Sequence, residues 1–289
     1  MLKRRIINLN GRLSRAGLPL PTQLLWRAGL RTHVEVALDS LGVREYSTIR
    51  FPVNGSSFDV TVNSSRFWDK LERREFEANC FTHLSDVVEE GSKVLDVGAG
   101  FGSYSILFSK LAGERGKVHA FEPDPVARRV LRDNLRKNRL ANVRVEDSCI
   151  SDAPGRAILR SWRWGTGLST IVPRFGGEAP LKLPVDSTTV DRFCADNSFR
   201  PDGLKIDVEG AEGLVLLGSR KTIRDARPWM LIEFHSGPMT PEERATTWRL
   251  ATESAKEVVY LDGDSRLLSP GDNITSMPEG RGFHIFVRN

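Results

Sequence analysis

The sequence predicts a mostly parallel α/β sheet with helices on both faces and an antiparallel pair at one edge. Three observations carry this. From residue 93 onward, short apolar runs alternate with stretches of helical spacing. Several of those runs end in acids, where an open parallel sheet binds its ligands. The last two β-like runs follow one another with no helix between them, which a mixed sheet accommodates.

The elements read in order as follows. Residues 1–65 form a basic N-terminal extension, and 66–289 form the main domain. Helical pieces over 1–50 break at Pro19, Pro21 and Gly29. Residues 48–51 and 58–62 flank a Gly55-Ser56-Ser57 turn and predict a hairpin. Helical spacing over 66–90 turns Phe67, Leu71, Phe76, Phe81, Leu84 and Val87 inward, and Gly91 ends it. Strand 93–97, helix 103–112, strand 117–121, helix 123–140 and strand 143–146 then alternate. A glycine-rich, β-rich insertion over about 154–190 breaks the rhythm. Strand 204–208, helix 211–217, strand 229–234 and helix 241–256 resume it, and strands 257–261 and 284–287 close it.

Composition limits the function classes. The 289 residues carry a net charge of +5 and contain no apolar run near the roughly 20 residues a membrane span needs. Residues 1–50 hold nine Lys/Arg against three Asp/Glu, so the excess of positive charge belongs to the extension. That arm is either a solvated helical face or a contact for anionic lipid or nucleic acid. Residues 1–7 make a poor secretion signal. Three distant cysteines, Cys80, Cys149 and Cys194, form no CxxC pair and fit a reducing compartment, the cytoplasm.

Three segments bear chemistry. VLDVGAGFG (94–102) places Asp96 and three alternating glycines after a strand. Glycines let a ligand approach the backbone, and the next helix offers its N–H groups. A tight turn with no ligand is the other reading. A GxGxxG dinucleotide loop would need glycine at Ser103, which argues against a nicotinamide enzyme. The spacing suits a nucleoside with an amino-acid tail, with Asp96 facing the ammonium. Glu122 ends the next strand, where a carboxylate can accept both ribose hydroxyls or begin a helix. LKIDVEGAE (204–212) crowds Asp207, Glu209 and Glu212 beside Lys205, a pattern of functional sites that a helix start also allows.

These motifs resemble the FkbM family of class I S-adenosylmethionine-dependent methyltransferases over roughly residues 70–289. LKIDVEGAE is the most specific part. VLDVGAGFGSYS (94–105), FEPDP (121–125) with Asn134, Cys149–Gly155, LPVDSTTVDRF (183–193) and IEFH (232–235) support it. The family often has asparagine where this chain has Gly100.

The resemblance implies a Rossmann-like class I methyltransferase sheet and S-adenosylmethionine as donor. It implies a hydroxyl acceptor on a sugar, polyketide, glycan or related small molecule. Asp96, Gly98, Ala99 and Gly100 would line the amino-acid tail, Glu122 the ribose, and Cys149 and Ile150 the adenine. Asp207 would stand near the reactive methyl. Candidates for the base are His235, Asp207, Glu209 and Glu233, with His235 expected to titrate near neutrality. Asp207 with Glu209 is an alternative pair for a divalent cation such as Mg²⁺. His33, His83, His119 and His284 read as structural. Trp162 and Trp164 either stack on a sugar or pack the insertion. A nucleic-acid methyltransferase is disfavoured, since IDVEG lacks the Pro-Pro-Tyr/Phe type of motif that stacks a flipped base. A non-catalytic protein that kept the donor site is a further alternative.

Overall fold

A computed structural model describes residues 47–53, 56–62, 77–162, 164–173, 179–235, 239–262, 265–268, 272 and 282–289. The helical pieces expected over 1–46 and the first half of helix 66–90 lie outside the described residues. An antiparallel hairpin, β1 (Ser47–Val53) and β2 (Ser56–Val62), precedes helix α1 (Ala78–Val87). Next come β3 (Lys93–Val97), α2 (Ser103–Ala112), β4 (Lys117–Phe121), α3 (Pro125–Lys137) and β5 (Val143–Glu146). Strand β6 (Cys149–Ile150) precedes the expected β-rich insertion, which contains β7 (Gly155–Ser161) and β8 (Leu181–Thr188), and the three form a separate three-stranded sheet. It leads into α4 (Val190–Asp196), β9 (Gly203–Ile206), α5 (Glu212–Leu217), α6 (Arg220–Ala226) and β10 (Trp229–His235). Helix α7 (Pro241–Thr252), β11 (Glu257–Tyr260), β12 (Arg266–Leu267) and β13 (Gly282–Arg288) complete the chain.

Among the described residues the central sheet has eight strands in the order β12-β11-β13-β10-β9-β3-β4-β5. From β10 to β5 neighbouring strands are parallel, and β13 runs antiparallel between β10 and β11. The two closing strands therefore pair as expected, but β13 sits inside the sheet and β12 takes the edge. Side-chain alternation divides the core in two. Val94 and Leu231 join Leu84, Phe108 and Leu131 on one face. Leu95, Val97, Met230 and Ile232 join Val215, Leu216 and Trp248 on the other. With both faces covered, the strands read as apolar runs rather than alternating ones.

Two short helices, α4 and α6, were not expected. Helix α3 starts later than the expected Pro123, because Asp124 is its cap. The Asp124 carboxylate accepts from the Val126 and Ala127 N–H groups at 2.8 and 3.2 Å, with Pro125 in the first turn. In the insertion, Trp164 is fully buried with Cys149, Leu159 and Leu181, so packing is its role, while Trp162 is exposed.

The hairpin packs onto the sheet's helical layer. Phe58 and Val60 are buried in the core with α1 and α2. Asn134 on α3 and Asn138, which caps its C-terminus, bind β2 as a neighbouring strand would. Asn134 accepts from Thr61 N–H at 2.9 Å and donates to Thr61 O at 3.0 Å. Asn138 donates to Asp59 O at 2.7 Å. Asn134 also donates to Phe101 O at 2.8 Å, which braces the glycine loop from behind. The three cysteines are free, and no helix among the described residues is long and apolar enough to cross a membrane.

Candidate active site

The chain runs from β3 to β4 on one side of the sheet and, after β5, returns to β9 on the other side of β3. At this switch the C-terminal strand ends splay open, and a ligand crevice is expected there. A cavity of about 530 Å³ occupies that place. Its wall includes Gly98–Phe101, Phe121–Asp124, Cys149, Ile150, Leu168–Ile171, Asp207–Glu209, Glu233, His235 and His284.

The glycine loop forms one end. Gly98 and Ala99 donate their N–H groups to Phe121 O at 3.1 and 3.0 Å, which ties the loop to β4. Gly98 lies at φ 78°, and a Cβ there would stand 1.7 Å from the Asp207 carbonyl oxygen. Gly100 has φ 55° and open space where its Cβ would be. Glycine and asparagine both tolerate that left-handed backbone.

Glu122 closes the loop. Its Oε2 accepts from Gly100 N–H at 2.7 Å and its Oε1 from Asp124 N–H at 2.8 Å. Asp124 also accepts from Gly165 N–H at 2.7 Å and Ser169 Oγ at 3.0 Å, so one carboxylate joins helix α3 to the insertion at the cavity wall. Cys149 and Ile150 are buried and line the same end.

Asp96 lies elsewhere. It is fully buried beneath the loop and is not part of the cavity wall. It accepts from Ser105 Oγ at 2.5 Å and faces Lys205 Nζ at 3.5 Å. The ammonium it meets is therefore the protein's own. Lys205 is directly opposite Asp96 in the β3–β9 register, and it also donates to Gly98 O at 2.8 Å and Asp207 Oδ2 at 3.1 Å.

The other end carries the charged groups. Glu233 faces His284 across the β10–β13 pair. The His235 ring has Nδ1 2.8 Å from the buried Glu212 Oε1. Its Nε2 lies 3.4 Å from Glu233, 3.5 Å from Glu209 and 3.9 Å from Asp207. Burial works against a charged ring, but the Glu212 and Glu233 contacts outweigh it and raise the His235 pKa well above its ordinary value. That differs from the expected titration near neutrality. Burial pushes Glu209 up to about 8. Glu209 is also held at φ 53°, a left-handed backbone uncommon outside glycine and typical of functional turns.

A model of the methyltransferase FkbM domain matches residues 96–259. The chain belongs to the FkbM methyltransferase family. Its fold is the class I, Rossmann-like one, and its domain is an S-adenosylmethionine-dependent methyltransferase domain. A model of protein-L-isoaspartate (D-aspartate) O-methyltransferases also matches, over residues 31–150. The 31-O-demethyl-FK506 methyltransferase FkbM of Streptomyces tacrolimicus is 34% identical over 108 residues, covering 37% of this chain and 40% of that relative. The matched segment thus spans less than half of that protein. Methyltransferase sdnD of Sordaria araneosa is 30% identical over 195 residues, covering 56% of this chain and 73% of the relative. The crystal structure of methyltransferase FkbM from Methylobacillus flagellatus is 17% identical with a TM-score of 0.46, covering 68% of this chain and 43% of that one.

The FkbM domain's residues fit the donor at the loop end. Gly100 leaves open space there, Glu122 presents a carboxylate, and Cys149 and Ile150 give a buried wall. Asp96 supports this end through Lys205 instead of lining it. Sequence reasoning missed Asp124, Glu77 and Asp262, named Glu212 only among the crowded acids of 204–212, and took His284 as structural. The signal for His284 is its cross-strand pairing with Glu233, which appears only once β13 is set beside β10.

Burial and the neighbouring Asp124 push Glu122 up to about 8, against the two N–H donors. Only the ionised carboxylate accepts from both ribose hydroxyls. The donor's affinity should therefore rise about tenfold from pH 7 to pH 9, in line with one ionisation over that range. Calorimetric titration with S-adenosylmethionine across that range measures it, and a flat profile would remove Glu122 as the titrating contact.

Proposed function

We propose that this protein methylates a hydroxyl oxygen on a sugar, polyketide or related small molecule or glycan, using S-adenosylmethionine. The observation that carries this reading is one cavity lined by two unlike sets of groups. The glycine loop, Glu122 and Ile150 make one set, and the carboxylates of Asp207 and Glu209 make the other. The donor supplies a methyl group already activated on a sulfonium. The chain's task is then to align the acceptor and receive one proton.

Alignment can contribute up to about 7–11 kcal/mol of the barrier. Lys205 fixes the Asp207 carboxylate at 3.1 Å, and the strained turn at Glu209 sets the second acid facing the same space. These two carboxylates are placed to accept the hydroxyl proton, and His235 positions them. Leu168–Ile171 of the insertion line the cavity and bear on acceptor choice.

The test uses hydroxylated sugars and polyketides with S-adenosylmethionine, read by mass spectrometry for gain of one methyl and by fragmentation for its position. Asp207→Asn and Glu209→Gln should each lower kcat by about 10²–10⁴ while the donor's Kd holds. Methyl found only on nitrogen or carbon, or full turnover in both variants, would overturn the reading.

A further inference from the structure

Two histidines at the charged end of the cavity are held in the same way. His235 Nδ1 lies 2.8 Å from Glu212 Oε1, and His284 Nδ1 lies 3.0 Å from Asp262 Oδ1. Each ring therefore offers Nε2 to the cavity, and the two Nε2 atoms meet opposite oxygens of one carboxylate. Glu233 Oε1 is 3.4 Å from His235 and Oε2 is 3.5 Å from His284. A third residue joins on each side. Asp207 completes a trio with Glu233 and His235, and Glu77 completes one with Glu233 and His284. Within each trio the ligand atoms lie within 4.8 Å of one another.

Three features point to an ion. Separations of 3.4–3.5 Å are long for N–H···O bonds, whose usual length is about 2.9 Å. They match the edge of a tetrahedron whose centre lies about 2.1 Å from nitrogen and oxygen ligands. A carboxylate on the far nitrogen of a histidine is the arrangement that orients metal-binding rings, and it occurs here twice. The Glu77 Oε2 oxygen is buried at the cavity wall, with the Tyr104 hydroxyl as its hydrogen-bonding neighbour. A buried carboxylate there is costly unless a cation offsets its charge.

We propose that this end of the cavity is a two-ion divalent metal centre bridged by Glu233, with Asp207 and His235 on one ion and Glu77 and His284 on the other. Mixed imidazole and carboxylate ligands suit Mn²⁺, Fe²⁺, Co²⁺ or Zn²⁺ better than Mg²⁺. The ligand set differs from the Asp207–Glu209 pair expected from the sequence, since Glu209 belongs to neither trio. Ions held there supply Lewis acidity toward an oxygen ligand. The proposal shares Asp207 and His235 with the proposed methyl-transfer site but is tested apart from it, because metal uptake is measured with neither donor nor acceptor present.

The experiment is Co²⁺ titration of the full chain after chelator treatment, read by visible absorption and by elemental analysis after gel filtration. Two ions per chain are expected. Glu233→Gln should weaken both sites at least about tenfold. His235→Ala and His284→Ala should each keep one ion, and Glu209→Gln should keep two. Circular dichroism confirms folding, and His284→Gln replaces the alanine variant if that one fails to fold. A folded wild-type chain that retains no Co²⁺, Mn²⁺ or Zn²⁺ overturns the proposal. So do two ions surviving in Glu233→Gln, or a single ion lost equally in both histidine variants.

Discussion

Lys205→Met should destabilise the protein by about 3–5 kcal/mol, the usual cost of removing one partner from a buried ion pair. Its ammonium is 4% exposed, Asp96 is fully buried, and they stand 3.5 Å apart. Methionine fills similar volume but leaves the Asp96 carboxylate without its counter-charge, bonded to Ser105 as before, and leaves the Gly98 carbonyl without its 2.8 Å donor. Asp207, at 27% exposure, can be hydrated, so most of the loss comes from Asp96. Burial alone would favour a neutral lysine, but Asp207 and Asp96 overcome it and keep the ammonium charged. The urea midpoint measures the effect. Adding Asp96→Asn should restore much of the stability, because the neutral amide still accepts from Ser105 and no buried charge is left. Such coupling is what a double-mutant cycle isolates. A single variant within about 1 kcal/mol of wild type would show that the pair does not hold the strands together.

The same pair shows what could and could not be read in the sequence. The apolar runs at 93–97 and 117–121 and the helix between them were legible, because burial on both faces writes itself into consecutive residues. The glycine loop was legible because few other residues accept its backbone. The partner of Asp96 was not. Lys205 lies more than a hundred residues away, and only the β3–β9 register sets the two side by side. An unpaired acid in sequence was therefore assigned a ligand's ammonium when the protein supplies one. His284 was missed for the same reason, since its role depends on β13 entering the sheet next to β10. Asp124 was within reach, as an acid before Pro125 is an ordinary helix cap, but the helix was started two residues early.

The second large effect is expected at the glycine loop, and its two halves should respond differently. Gly98→Ala places a methyl 1.7 Å from the Asp207 oxygen and 2.8 Å from its carbonyl carbon. Neither atom can move freely. Asp207 N–H is bonded to Val97 O at 3.0 Å, and Lys205 holds Gly98 O from the other side. The ends of β3 and β9 must part, which opens the floor beneath both ends of the cavity. The positive φ adds about 1–2 kcal/mol of its own. Donor binding should fall below detection, with a clear drop in melting temperature. Gly100→Asn meets none of this. Its Cβ enters open space, its N–H to Glu122 survives, and asparagine accepts the left-handed backbone. That variant should keep its fold and bind the donor within about tenfold of wild type, a difference of about 1.4 kcal/mol. Calorimetry with S-adenosylmethionine and a thermal melt on both variants decide the matter. Equal donor affinity in Gly98→Ala and wild type would mean that the close approach of β3 to β9 is not what shapes the site.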